Sequence, residues 1–141
     1  MPSGVTAWGR ILTGLATRLY KLGIIPCQAD TILGDDEYSL AEYGILGRVI
    51  HTPGHSAGSI CVLLDSGEVY VGDMAMQAWF LRWSPGLPVL VEDMSLVVQS
   101  WKKLIRMGAK RVYPAHGSDF PVEVIQKEIL AFESRKGLAD I

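Results

Sequence analysis

Between residues 48 and 71 the sequence runs through three short apolar stretches in quick succession, 48–51, 59–64 and 68–71, each cut off by a glycine-bearing turn. Stretches of this length, rich in Val, Ile and Leu and bounded by Gly, Pro, Ser or Asp, read as β-strands. The Ser66-Gly67 pair makes a hairpin the simplest join between the second and the third. From Asp93 the period changes. Met94, Val97, Val98, Trp101, Leu104 and Ile105 recur at steps of three and four, one face of a helix, with Asp93 placed to cap it and Gly108 to stop it. A fourth run, 111–113, is broken by Pro114. Pro121 then opens a last helix that reaches about Phe132 through Val122, Ile125 and Ile129. Segments in this order bury their apolar faces by layering sheet against helix, so the expected class is α/β in the α+β sense, a mixed sheet flanked by helices.

The flanks add one element and few constraints. Val5, Trp8, Ile11, Leu12, Leu15 and Leu19 predict a helix over 5–20, stopped at Gly23. Residues 26–43 read as irregular, with Asp35, Asp36 and Glu37 in a turn. Residues 74–91, interrupted by Pro85, Gly86 and Pro88, read mostly as loop. A length of 141 residues suits one domain. A net charge of -2 gives no basic surface for nucleic acid. No apolar run approaches the roughly 18 residues of a membrane span, and the first residues lack the basic-then-apolar order of a signal peptide. Cys27 and Cys61 lack metal-type spacing and read as buried free thiols, which fits a cytoplasmic location.

Three places share one format, in which an apolar run ends and a metal-capable side chain follows within a few residues. They are His55 after Val49-Ile50, Asp73 after Val69-Tyr70-Val71, and His116 after Val112-Tyr113. Neighbouring strands lie about 4.8 Å apart, so side chains at one sheet edge can converge. Two imidazoles and a carboxylate suit zinc, and also iron or manganese. Thr52, Pro53, Gly54, Ser56 and Ser59 build the turn around His55; Gly72 and Gly117 flank the other two positions. The ring in Pro53 stiffens that turn while Gly54 frees it, which suits aiming one imidazole. His51, at a strand end, reads as a solvated side chain. Trp79, Phe80 and Trp83 read either as the wall of an apolar substrate groove or as cover for an open sheet.

In "HTPGHSAGS", "YVGD" and "VYPAHG", in that order and at that spacing, the chain resembles the C-terminal half of the metallo-β-lactamase superfamily over about residues 28–133. The resemblance implies half of a four-layer αββα sandwich: a single partial domain over 1–141, with 1–27 a helical cover or insert and 28–141 the C-terminal half. It implies that His55 binds the first metal of a two-metal centre, that His116 binds the second, and that Asp73 bridges both. Ser59 would act at most on the packing around that set.

The family's His-x-His-x-Asp-His segment is absent, since the chain has three histidines and none makes that pattern. A catalytic zinc takes three protein ligands and a water, whereas here each ion would receive one imidazole and a share of Asp73. The chain is therefore expected to bind metal weakly or not at all and to hydrolyse nothing alone. The reading is the C-terminal portion of a metal-dependent, zinc-type hydrolase acting on a small-molecule substrate once completed; the alternative is a naturally short, non-catalytic dimerisation or binding module. Half a sandwich leaves one sheet face uncovered, with Ile60, Val62 and Leu64 alternating with residues of the other face. The mean hydropathy of +0.24 agrees that partner surface is missing. The missing N-terminal half or a second copy is the expected partner, with neither nucleic acid nor membrane indicated.

Overall fold

A computed structural model of the chain describes residues 3–4, 28–77 and 85–139. The helix predicted over 5–20, Gly23, Cys27 and the aromatic group Trp79, Phe80 and Trp83 lie outside them. Among the described residues the strands are β1 (Ser3–Gly4), β2 (Tyr38–Ser39), β3 (Gly47–His51), β4 (Ile60–Leu64), β5 (Glu68–Gly72), β6 (Leu90–Val91), β7 (Arg111–Pro114) and β8 (Phe120–Pro121). The helices are α1 (Met94–Arg106) and α2 (Glu123–Ala139), with a 3-10 turn at Ala41–Tyr43. Six strands form one mixed sheet in the order β2-β3-β4-β5-β7-β8; β1 and β6 pair separately.

The meander β3-β4-β5 is antiparallel because its connections are turns. The β4–β5 hairpin closes at Gly67, whose φ of 106° suits glycine and whose N–H donates to Leu64 O at 3.0 Å. The next main-sheet strand, β7, runs parallel to β5, with Val69 opposite Val112. A parallel neighbour requires a crossover, and α1 supplies it. Asp93 caps α1 by accepting from Ser95 N at 2.7 Å and Leu96 N at 3.2 Å. Gly108, at φ 96°, ends it.

Ile50, Cys61, Leu63, Val69, Val71 and Val112 face the helices and form one core with Val97, Trp101 and Leu104 of α1 and Ile125 and Ile129 of α2. Trp101 is buried, and its indole N–H donates to Met74 O at 3.2 Å, anchoring the segment that leaves β5. On the opposite face the register aligns Val49, Val62, Tyr70 and Tyr113 in one row across four strands. The Tyr70 and Tyr113 rings stack with centroids 5.0 Å apart. Ile60 and Tyr70 remain 48% and 47% exposed.

Four expectations need correction. Residues 26–43 are not wholly irregular, since Tyr38 and Ser39 pair with Val49 and Arg48 at the edge of the sheet. The 74–91 stretch ends in β6, whose two residues are too short to leave a periodic signal and pair with β1. Pro114 closes β7 instead of breaking it, and Pro121 sits in β8 at the sheet edge, where a missing N–H is tolerated. The last helix starts at Glu123 and continues past Phe132 to Ala139. Its final turns are largely exposed, so they carry no apolar period to read.

Candidate metal centre

The turn between β3 and β4 is built on backbone bonds. Thr52 is fully buried; its N–H donates to Ser59 O at 2.9 Å and its hydroxyl to Cys61 Sγ at 3.1 Å. The Pro53 carbonyl accepts from Ser100 Oγ at 2.8 Å. Gly54 sits at φ 138°, and a Cβ there would lie 2.4 Å from Val97 N. Only glycine lets the turn press this closely on α1. The Gly54 carbonyl then accepts from Glu92 N at 2.9 Å and Asp93 N at 3.0 Å. Ser56 and Ser59 close the turn, hydroxyl to hydroxyl at 2.9 Å, so Ser59 supports the loop and does not reach the site.

His55 projects from this turn with Nδ1 2.7 Å from Leu90 O. A carbonyl only accepts, so Nδ1 carries a proton and Nε2 is the ring nitrogen left to face the site. That Nε2 lies 4.0 Å from Asp73 Oδ2. Asp73 follows Gly72, whose φ of 56° turns the chain out of β5 and whose carbonyl accepts from Ala115 N at 2.9 Å. His116 follows β7 and precedes Gly117 at φ 99°. Its carbonyl accepts from Gln77 N at 3.2 Å, and its Nε2 lies 3.5 Å from Asp73 Oδ1. The three predicted side chains therefore converge, each imidazole facing a different oxygen of one carboxylate.

The residues present fit a cation. Both separations exceed a hydrogen bond. Nitrogen and oxygen donors at about 2.0–2.1 Å from one tetrahedral ion stand roughly 3.3–3.4 Å apart, which the His116–Asp73 pair approaches at 3.5 Å while the His55–Asp73 pair, at 4.0 Å, is wider. Asp73 Oδ1 is buried without a hydrogen-bond partner, which is costly for a carboxylate oxygen unless a cation or proton donor meets it. Among the described residues no set of three His, Cys, Asp or Glu side chains encloses a single ion.

Sequence reasoning missed Leu90 and Glu92. Leu90 acts through its carbonyl, which leaves no trace in residue type. Glu92 accepts from Ala57 N at 2.9 Å and stands beside the cap of α1, the one sign that it borders the site. His51 is also corrected. Its ring is not simply solvated, since Nδ1 meets Asp35 at 2.6 Å and Nε2 meets Ala57 O at 2.8 Å.

The chain has the fold of the metallo-β-lactamase superfamily and matches part of it. It aligns with an archaeal metallo-β-lactamase superfamily protein from Sulfolobus tokodaii at a TM-score of 0.54 and 23% identity, covering 87% of this chain and 49% of that one. It aligns with TTHA1623, solved in a di-iron-bound form, at a TM-score of 0.51 and 23% identity, covering 78% and 52%. In sequence it is 28% identical over 104 residues to a lactamase-like protein of Pestalotiopsis microspora, 73% of this chain and 29% of that protein. It is 30% identical over 122 residues to an atrochrysone carboxyl ACP thioesterase of Aspergillus fumigatus, 86% and 35%. The chain thus spans about a third of the length of these curated relatives. No family model matches it.

Proposed function

We propose that this chain supplies one side of the metal centre of a metallo-β-lactamase-type hydrolase, with His55 and His116 each holding one ion and Asp73 bridging. The observation that carries the reading is the Asp73 carboxylate between two imidazoles, with its buried Oδ1 left without a hydrogen-bond partner. Zinc suits the nitrogen–oxygen donor set, as do iron and manganese. A divalent ion there supplies Lewis-acid chemistry towards a carbonyl and the water that attacks it. The chain's own part is to aim the two imidazoles, His55 through its bond to Leu90 O, at the carboxylate between them. The thioesterase and lactamase-like relatives support hydrolysis of a small acyl substrate.

The remaining ligands come from a His-x-His-x-Asp-His segment outside this sequence, docked with its own sheet on the Val49-Val62-Tyr70-Tyr113 face. Residues 1–141 then form one partial domain, and the isolated chain is inactive. The same half-open face supports the second reading, a non-catalytic module that dimerises or binds through it. Buried, unpaired Cys61 fits a reducing cytoplasm, and among the described residues no helix is long and apolar enough to cross a membrane.

Zinc titration followed by calorimetry tests this reading. The chain alone is expected to bind weakly, and binding should fade as acid protonates the histidines. His116→Ala should abolish it and leave the melting temperature within a few degrees, because that side chain is 64% exposed. Adding a polypeptide that carries the missing segment should raise affinity by far more than tenfold. Two tightly bound ions per isolated chain, with turnover, would overturn the proposal.

A further inference from the structure

We propose that His51 and Glu92 are positioning residues that hold the Ala57 backbone at its carbonyl and its N–H and so fix the direction of His55. The inference rests on the reading of His55 as a metal donor. The Ala57 N–H donates to Glu92 Oε2 at 2.9 Å, and the Ala57 carbonyl stands 2.8 Å from His51 Nε2. The opposite ring nitrogen of His51 is 2.6 Å from Asp35 Oδ1. Both partners of this ring are acceptors, so the two bonds coexist when both ring nitrogens carry protons. The result is a chain of contacts, Asp35 to His51 to the Ala57 backbone to Glu92, which crosses the turn two residues beyond His55.

The same segment restrains the turn on its other side. Glu92 N–H donates to Gly54 O at 2.9 Å and to His55 O at 3.2 Å, while Leu90 O takes the His55 ring proton. His55 is thus bracketed by bonds at 54, 55 and 57, and the His51 ring that makes one side of the outer bracket is itself held by Asp35. The exposure of the two carboxylates, Asp35 and Glu92, at either end of these contacts separates this role from general stabilisation. Asp35 is 94% exposed and Glu92 is also exposed, and exposed polar pairs contribute little to global stability. Their effect falls on the order of one turn.

The test uses the full chain, labelled with nitrogen-15, and the variants His51→Phe, Glu92→Leu and Glu92→Gln. Ring-nitrogen shifts report the His55 tautomer, and amide exchange reports the Ala57 N–H. His51→Phe and Glu92→Leu should each speed Ala57 exchange about tenfold and turn a single Nδ1–H form of His55 into a mixture. Exchange of the Cys61 and Val69 amides should stay as before. Glu92→Gln keeps an accepting oxygen and should restore both signals. If the Phe variant fails to fold, His51→Gln, with one donor in place of two, gives the same readout at smaller amplitude.

An unchanged His55 tautomer together with unchanged Ala57 exchange in the Leu and Phe variants would overturn the proposal. So would a loss of protection spread equally over the core amides. Cobalt titration is a separate arm, expected to show binding about tenfold weaker in the Leu and Phe variants. Absence of cobalt binding by the unsubstituted chain even with a polypeptide that carries the remaining ligands added would overturn the metal reading, while the tautomer and exchange results would still decide on the clamp.

Discussion

Cys61 shows how one side chain can report on the whole core. Burial pushes its thiol up to about 11, and the Thr52 hydroxyl that donates to it offsets only part of that shift. A thiol that resists ionising when folded, but ionises near its ordinary value of about 8.5 when unfolded, favours the folded state below that pH. This contribution is lost as pH rises from about 9 towards 11 and amounts to about 3 kcal/mol at most, by the factor of 1.36 kcal/mol per pH unit. Denaturant melts at pH 7 and pH 10 are expected to show a larger loss of stability for the unsubstituted chain than for Cys61→Ala. Equal losses in the two would remove the burial argument. For the same reason Cys61 should resist alkylation at pH 8 until the chain unfolds.

The helices carry a prediction of their own, because α1 both covers the core and seats the His55 turn. Asp93→Ala removes the acceptor of the Ser95 and Leu96 N–H groups and should cost about 1 kcal/mol. A shift in chemical-denaturation midpoint with unchanged slope would show it; no shift would mean that the bonds from the first turn are replaced by water. This helix was legible in the sequence from cap to stop, since Asp93, the apolar steps of three and four, and Gly108 all act locally. The β3-β4-β5 meander was legible for the same reason, through alternation and turn residues. So was the convergence of His55, Asp73 and His116, through three turns of one format. The pairings of Tyr38 with Val49 and of Ser3 with Val91 were not, because two-residue strands are made by their partners and leave no period. The roles of Leu90 O and the His51 ring were hidden in the same way: one is a backbone atom, and the other depends on Asp35 and Ala57 arriving from separate segments.

At the scale of the whole molecule the sheet has two unlike faces. One is sealed by α1 and α2; on the other, Tyr70 and Ile60 stay exposed beside half-buried Val62 and Tyr113, while Val49 is buried. Light scattering at micromolar concentration is expected to find a dimer or larger species, and Tyr70→Lys should shift it towards monomer without disturbing the opposite core. A monomer that also fails to bind a hydrophobic dye would contradict this. The parallel join of β5 to β7 has a further consequence, for the order in which the molecule assembles. The meander needs only neighbouring residues to meet, whereas Glu68 must find Arg111 across the whole of α1, a longer loop to close. In pulse-labelled refolding the amides of β3 and β4 should gain protection ahead of those of β7. Asp73 and His55 would then stand on structure formed early and His116 on structure formed late, so that the carboxylate waits for its second imidazole until the crossover has docked.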